Sequence, residues 1–76
     1  MVEVYGKSTC ARCLMLTRWL DERRIRFEYK DVGKYPELIE ELRLKSGNSS
    51  LPQYCYEGHW YYGFDIQRLR QIFKKE

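Results

Sequence analysis

The residues best suited to chemistry in this chain are Cys10-Ala11-Arg12-Cys13. Two thiols three positions apart on a helix sit about one turn from each other, so one can attack a disulfide formed by the other. The same spacing can supply half of a tetrahedral zinc site. Cys55 and His59 could complete it as a Cys-x-x-Cys plus Cys-x-x-x-His set. The local pattern separates these uses. Ser8 and Thr9 are cap-type residues, and an amphipathic run begins at Ala11. Cys10 is therefore expected at a helix start, where unpaired N–H groups and the positive end of the helix dipole favour a thiolate. Lys7 and Arg12 add positive charge nearby. Cys10 is the expected attacking sulfur and Cys13 the expected resolving one. A Cys-x-x-Cys pair in a βαβ pattern favours redox use over metal. Cys55 reads more simply as a small buried hydrophobe, and His59 as a solvated residue beside a turn.

Two further segments carry possible function. Pro52 opens an apolar strand, where a missing N–H is tolerated. In a redox site a cis proline keeps backbone close to the sulfurs and leaves the Leu51 peptide groups free for an extended substrate; an ordinary trans proline ending a loop is the plainer alternative. In Tyr62-Gly63-Phe64-Asp65, Gly63 allows close approach of a ligand backbone. Asp65 is a helix N-cap, and the N–H groups around it could receive a carboxylate. A helix start with a Phe64–Leu69 staple explains the same residues.

The elements that must position these groups follow from periodicity. Val2 to Tyr5 suits a short strand, and Gly6 to Thr9 a turn. A helix is expected from Ala11 to Arg24, with Leu16, Trp19 and Leu20 on one face and Leu14 and Met15 widening it. Ile25 to Lys30 alternates apolar and charged residues as a strand with one buried face. A second helix is expected near Pro36, with an apolar stripe of Leu38, Ile39 and Leu42 and a stop at Gly47-Asn48. Leu51 to Tyr56 and His59 to Tyr62 read as strands joined at Glu57-Gly58. A last helix after Asp65 buries Ile66, Leu69, Ile72 and Phe73. The order is β-α-β-α-β-β-α. The first two strands should be parallel and the last two antiparallel, giving a mixed four-stranded α/β sheet.

Composition sets the frame. The chain has 76 residues, room for a single domain over 1–76, and 12 aromatic residues that close a small core economically. Three cysteines are too few for a disulfide scaffold. The net charge of +3 comes without a long basic run or a nucleic-acid motif, so no nucleic-acid partner is expected. The N-terminus carries no basic start followed by an apolar run, and no stretch is long enough to span a bilayer. A soluble cytoplasmic monomer is the expectation.

Taken together, Val4-Tyr5-Gly6-Lys7-Ser8-Thr9-Cys10, the dithiol, Leu51-Pro52-Gln53 and Gly63-Phe64-Asp65 resemble the glutaredoxin family of the thioredoxin fold, end to end. The resemblance implies strand order 2-1-3-4 flanked by three helices, Pro52 in cis, and a thiol–disulfide oxidoreductase acting on protein or glutathione mixed disulfides. It implies no tightly bound cofactor and no metal, with glutathione as co-substrate. Lys7 would meet the glycine carboxylate of glutathione, Leu51 its cysteine backbone, and Gly63, Phe64 and Asp65 its γ-glutamyl end. Arg12 and Pro52 belong to the same expected groove. Ala11-Arg12 stands where dithiol glutaredoxins usually carry proline and an aromatic. The short chain and the Leu-Pro pair look like NrdH-type redoxins, which take electrons from thioredoxin reductase and pass them to ribonucleotide reductase. Asp65 points instead toward glutathione. A zinc or iron–sulfur module on the cysteines is the remaining alternative.

Overall fold

A computed structural model describes residues 1–74. The elements run β1 (Val2–Gly6), α1 (Ala11–Glu22), β2 (Phe27–Asp31), α2 (Glu37–Ser46), β3 (Gln53–Tyr56), β4 (His59–Tyr62) and α3 (Ile66–Ile72). The sheet order is β2-β1-β3-β4. β1 is central, parallel to β2 and antiparallel to β3, and β3 pairs antiparallel with β4. The β-α-β-α-β-β-α order and the 2-1-3-4 sheet are those expected.

β1 alternates its side chains between two cores, as a strand with period two must. Val2 and Val4 join Leu16, Trp19 and Leu20 of α1, Tyr54 of β3 and Leu69 of α3. Tyr5 points the other way, to Val32 just after β2 and to Leu42 of α2. The sheet is therefore a middle layer, with α1 and α3 on one face and α2 on the other. At Glu57-Gly58 both central residues have positive φ, 52° and 83°, the backbone of a two-residue hairpin whose twist matches the strands. Gly47 ends α2 at φ 95° and returns its N–H to the Arg43 carbonyl at 2.9 Å.

Several expected boundaries and faces shift, for local reasons. α1 stops at Glu22 rather than Arg24, because Arg24 turns left-handed at φ 57° and the Ile25 N–H bonds back to the Leu20 carbonyl at 3.0 Å. With its amide so used, Ile25 precedes the ladder, and β2 begins at Phe27. β3 begins at Gln53, after Pro52, which has no N–H to give. Leu14 and Met15 are exposed and do not widen the buried face of α1; Cys13 does, about one turn ahead of Leu16 and two ahead of Leu20. Ile39 and Ile66 likewise face solvent, leaving Leu42 and Leu69 as the buried residues of α2 and α3. In each helix the stripe is narrower than the apolar residues available, because a short helix on a small sheet meets it along one line of contact.

The α2 layer is pinned by polar groups. The Tyr5 hydroxyl donates to Glu41 Oε2 at 2.6 Å, and Lys30 Nζ donates to the same oxygen at 2.9 Å. These bonds join β1, β2 and α2. They hold the Glu41 carboxyl well below its ordinary 4.5, at about 2, through the Tyr5 hydrogen bond first and Lys30 second. A carboxyl lowered on folding stabilises the fold above its unfolded value and loses that contribution as pH falls toward the folded value. Glu41→Gln should therefore lower the urea midpoint at pH 7. Screening at a carboxylate one-third exposed holds the cost to about 1 kcal/mol. The substitution should also flatten the loss of stability between pH 4.5 and pH 2, read by urea titration across that range.

Candidate active site

The register of the sheet gathers the site at one end. Gly6 closes β1 opposite Asp31 of β2, and Tyr5 pairs with Gln53, which pairs with Tyr62. The turn into α1, the Leu51-Pro52 segment before β3 and Gly63 after β4 therefore share the C-terminal end of β1. Cys55 pairs with Glu3, and His59 opens β4 opposite Tyr56, both toward the other end. The sheet thus keeps the four residues of the zinc alternative apart. Among the described residues no group of three His, Cys, Asp or Glu is arranged to hold a metal.

Cys10 is itself the N-cap of α1. Its backbone is extended (φ −100°, ψ 111°), and its sulfur accepts the Cys13 N–H at 3.3 Å. Its own N–H returns to the Lys7 carbonyl at 3.1 Å, closing the turn, and its carbonyl accepts the Leu14 N–H at 3.2 Å. The thiol thus takes the place that Ser, Thr, Asp or Asn usually fills, satisfying one of the free amides of the first helical turn. Ser8 and Thr9, the cap-type residues before it, are exposed members of the turn.

Cys13 is different in kind. It is fully buried, whereas Cys10 is partly accessible. A Cβ built on Gly6 would fall 2.8 Å from the Cys13 sulfur, 2.9 Å from its Cβ and 3.1 Å from the Tyr29 hydroxyl oxygen. The end of β1 therefore lies directly against the thiol, and glycine is needed there for closeness. The Cys13 thiol is pushed up from 9.0 to about 11, by burial first and then by the neighbouring Cys10 sulfur, with the Lys7 backbone amide acting in the opposite sense. The dithiol is unequal: one sulfur faces solvent and accepts an amide, the other is enclosed and holds its proton.

The Leu51–Pro52 peptide is cis, as the resemblance implies. The Pro52 carbonyl accepts the Gly63 N–H at 2.8 Å, tying the segment to the turn before α3. Gly63 has φ 74°, and a Cβ there would meet nothing within 4 Å, so backbone conformation calls for glycine at this turn. Asp65 caps α3, accepting the Arg68 N–H at 3.2 Å, and Phe64 packs on the larger core with Leu69. Lys7 and Arg12 are exposed around the thiols, and Leu51 is half-buried.

Two residues of this region escape sequence reasoning. Gln53 reads as a strand residue, yet it is fully buried. Its Nε2 lies 3.0 Å from the Asn48 carbonyl, 2.9 Å from Asn48 Oδ1 and 2.9 Å from the Ser50 carbonyl, so two hydrogens serve three acceptors and brace the loop before Pro52. Its place beside Pro52 was the available signal. Tyr29 reads as a core residue of an alternating strand, but it is 36% exposed. Its hydroxyl reaches the Gly6–Cys13 contact, which only the pairing of β1 with β2 can reveal.

A 2-1-3-4 mixed sheet with a dithiol at the start of α1 and a cis proline before β3 defines a thioredoxin-like redox protein. The glutaredoxin family model matches residues 2–60, and the chain belongs to that family. It is 29% identical over 72 residues to the glutaredoxin-like protein NrdH of Lactococcus lactis, spanning 95% of this chain and 99% of that one. The NrdH-redoxin of Escherichia coli, described as a glutaredoxin-like protein with a thioredoxin-like activity profile, superposes with a TM-score of 0.79 at 25% identity, over 93% of this chain and 92% of that one. The glutaredoxin of Archaeoglobus fulgidus shares the fold, with a TM-score of 0.85 at 24% identity, over 96% and 85% of the two chains.

Enlarging Gly6 tests the packing of the site. Gly6→Ala places a methyl group within 2.8 Å of the Cys13 sulfur. Overpacking of this kind should cost about 1–3 kcal/mol, read as a lower urea midpoint.

Proposed function

We propose that this chain is a dithiol thiol–disulfide reductase in which Cys10 attacks and Cys13 resolves. The observation that carries this reading is the inequality of the two sulfurs: Cys10 is accessible and accepts the Cys13 amide, while Cys13 is enclosed and holds its proton. Cys10 caps the helix start beside the cations Lys7 and Arg12, where a substrate disulfide can reach it. As its thiolate, Cys10 attacks that disulfide. A Cys10–substrate disulfide forms, and the displaced substrate thiolate takes a proton. Cys13 then gives up its proton and attacks the Cys10 sulfur. The Cys10–Cys13 disulfide forms, and the second substrate thiolate leaves and is protonated. The substrate gains two electrons and two protons, and an external dithiol or glutathione restores the pair.

The binding groove of the same reading runs from Lys7 and Arg12 past Leu51 and Pro52 to Gly63, Phe64 and Asp65. The Leu51 peptide groups would pair with an extended substrate backbone. Lys7 would attract a carboxylate, and the Gly63–Asp65 turn would hold the far end of glutathione. Two features bear on the reductant. The Asp65 carboxylate already accepts the Arg68 N–H, which leaves it less free for a ligand amine. The similarity to NrdH proteins extends over nearly the whole of both chains. These support a thioredoxin-reductase-type enzyme as electron source, with disulfide proteins of the ribonucleotide reductase kind as acceptors. No helix among the described residues is long and apolar enough to cross a membrane.

Insulin reduction tests the dithiol. Cys10→Ser should fall to the uncatalysed rate, and Cys13→Ser should accumulate a mixed disulfide that wild type does not. Equal turnover by wild type and Cys10→Ser would overturn the proposal. The reductant is read by driving one test disulfide with thioredoxin reductase and NADPH, or with glutathione, its reductase and NADPH. Faster turnover in the first arm is expected.

A further inference from the structure

The edge strand contributes a group to the thiol site that the reaction so far does not use. Tyr29 projects from β2 beside a groove of about 280 Å³ lined with Ser8, Leu14, Thr17, Asp21 and Phe27. Its phenol oxygen and the Cys13 sulfur border the same point above Gly6, at 3.1 and 2.8 Å. A Cβ at position 6 would press on both groups, so glycine leaves this space between strand and helix open to them. In the reduced protein Cys13 is a neutral thiol, and Oδ1 of the nearby Asp31 carboxylate takes the Gly33 and Lys34 amides at 2.9 and 3.1 Å.

We propose that Tyr29 is a positioning residue for the resolving step, donating its hydroxyl proton in a hydrogen bond to the Cys13 sulfur as that sulfur becomes a thiolate. This rests on the assignment of Cys13 as the resolving thiol. The step begins with the Cys10–substrate disulfide. Cys13 loses its proton to solvent, its sulfur forms the bond to Cys10, the Cys10–substrate bond breaks, and the departing substrate thiolate takes a proton. Tyr29 keeps its own proton throughout and lowers the cost of the transient anion.

The surroundings of Cys13 make such a donor useful. A buried thiolate without hydrogen bonds is costly. The groups facing Cys13 are Cys10 on α1, Lys7 on the preceding turn, with both its amide and its ammonium, and Tyr29 on β2. Cys10 opposes the anion and Lys7 favours it. Tyr29 is itself pushed up to about 12, by burial first and then by the charges of Cys13, Asp31 and Cys10. It is therefore a donor near neutral pH, not a base. Once Cys13 is joined to Cys10 the sulfur is neutral, so the bond to Tyr29 is strongest during the step itself. That distinguishes a positioning role from plain packing.

The test is a single-turnover release assay. A Cys10 mixed disulfide with a chromophoric thiol is formed at low pH, and release of the thiol is followed after a jump to each pH between 6 and 10, for wild type, Tyr29→Phe and Cys13→Ser. Urea midpoints are measured alongside. Tyr29→Phe should release about tenfold more slowly at neutral pH, with the midpoint of its pH profile about one unit higher, as expected for a lost hydrogen bond to a charged sulfur. Superimposable profiles for wild type and Tyr29→Phe, with Cys13→Ser unable to release, would overturn the role of Tyr29 and leave Cys13 as the resolving thiol. Release by Cys13→Ser at the wild-type rate would instead remove the assignment of Cys13 on which the proposal stands. A slower rate in Tyr29→Phe with no change in the pH midpoint would mark a packing effect and also count against it.

Discussion

The contact between the Cys13 side chain and Gly6 is the constraint from which the site follows. Strand β1 ends in a residue with no side chain, and the first buried position of α1 fills that space with a thiol. Placing Cys13 there forces Cys10 to the helix start, three residues earlier, with its sulfur over the Cys13 amide. One packing contact thus produces two thiols of opposite character. The enclosed one is kept protonated by desolvation. The partly accessible one caps the helix start, bonded to the Cys13 amide, with Lys7 and Arg12 nearby in the chain.

The rest of the fold holds this contact in register with a surface that can receive substrate. Pairing of β1 with β3 sets Pro52 beside the end of β1, and pairing of β3 with β4 sets Gly63 beside Pro52. The bond from Gly63 to the Pro52 carbonyl and the three contacts of the Gln53 amide then fix a segment that lies outside the ladder. Such bracing matters, because an irregular segment with unpaired peptide groups is free to move unless side chains satisfy its neighbours. The Leu51 peptide is left without a ladder partner, which suits it to pairing with an extended chain.

The opposite face is organised by different means. Tyr5, Lys30 and Glu41 form a network between the sheet and α2, and Lys45 reaches the same carboxylate from one turn on at 3.4 Å. The smaller core on that side has three buried residues, against seven on the α1 and α3 side, so polar contacts contribute more to holding its helix. It lies on the face of the sheet opposite α1 and the thiols, since alternate residues of β1 serve one face each.

Much of this was legible along the chain. A thiol pair at a helix start, alternation of apolar residues in the strands, a left-handed stop at Gly47, the Glu57-Gly58 hairpin and the Asp65 cap all arise from neighbours in sequence. Local spacing and backbone chemistry therefore determine them. The element order and the glutaredoxin resemblance followed from the same features. Tertiary structure decided which of several apolar residues on a helix meets the sheet: Cys13 but not Leu14 or Met15, Leu42 but not Ile39, Leu69 but not Ile66. It also separated Cys55 and His59 from the dithiol, bent the Gln53 amide onto the loop before it, and carried the Tyr29 hydroxyl to Gly6. The Gln53 contacts are short in sequence but form only once Gln53 is buried. The other outcomes depend on how helices seat on the sheet and how β1 pairs with β2 and β3, contacts between residues far apart in the chain that local spacing does not contain.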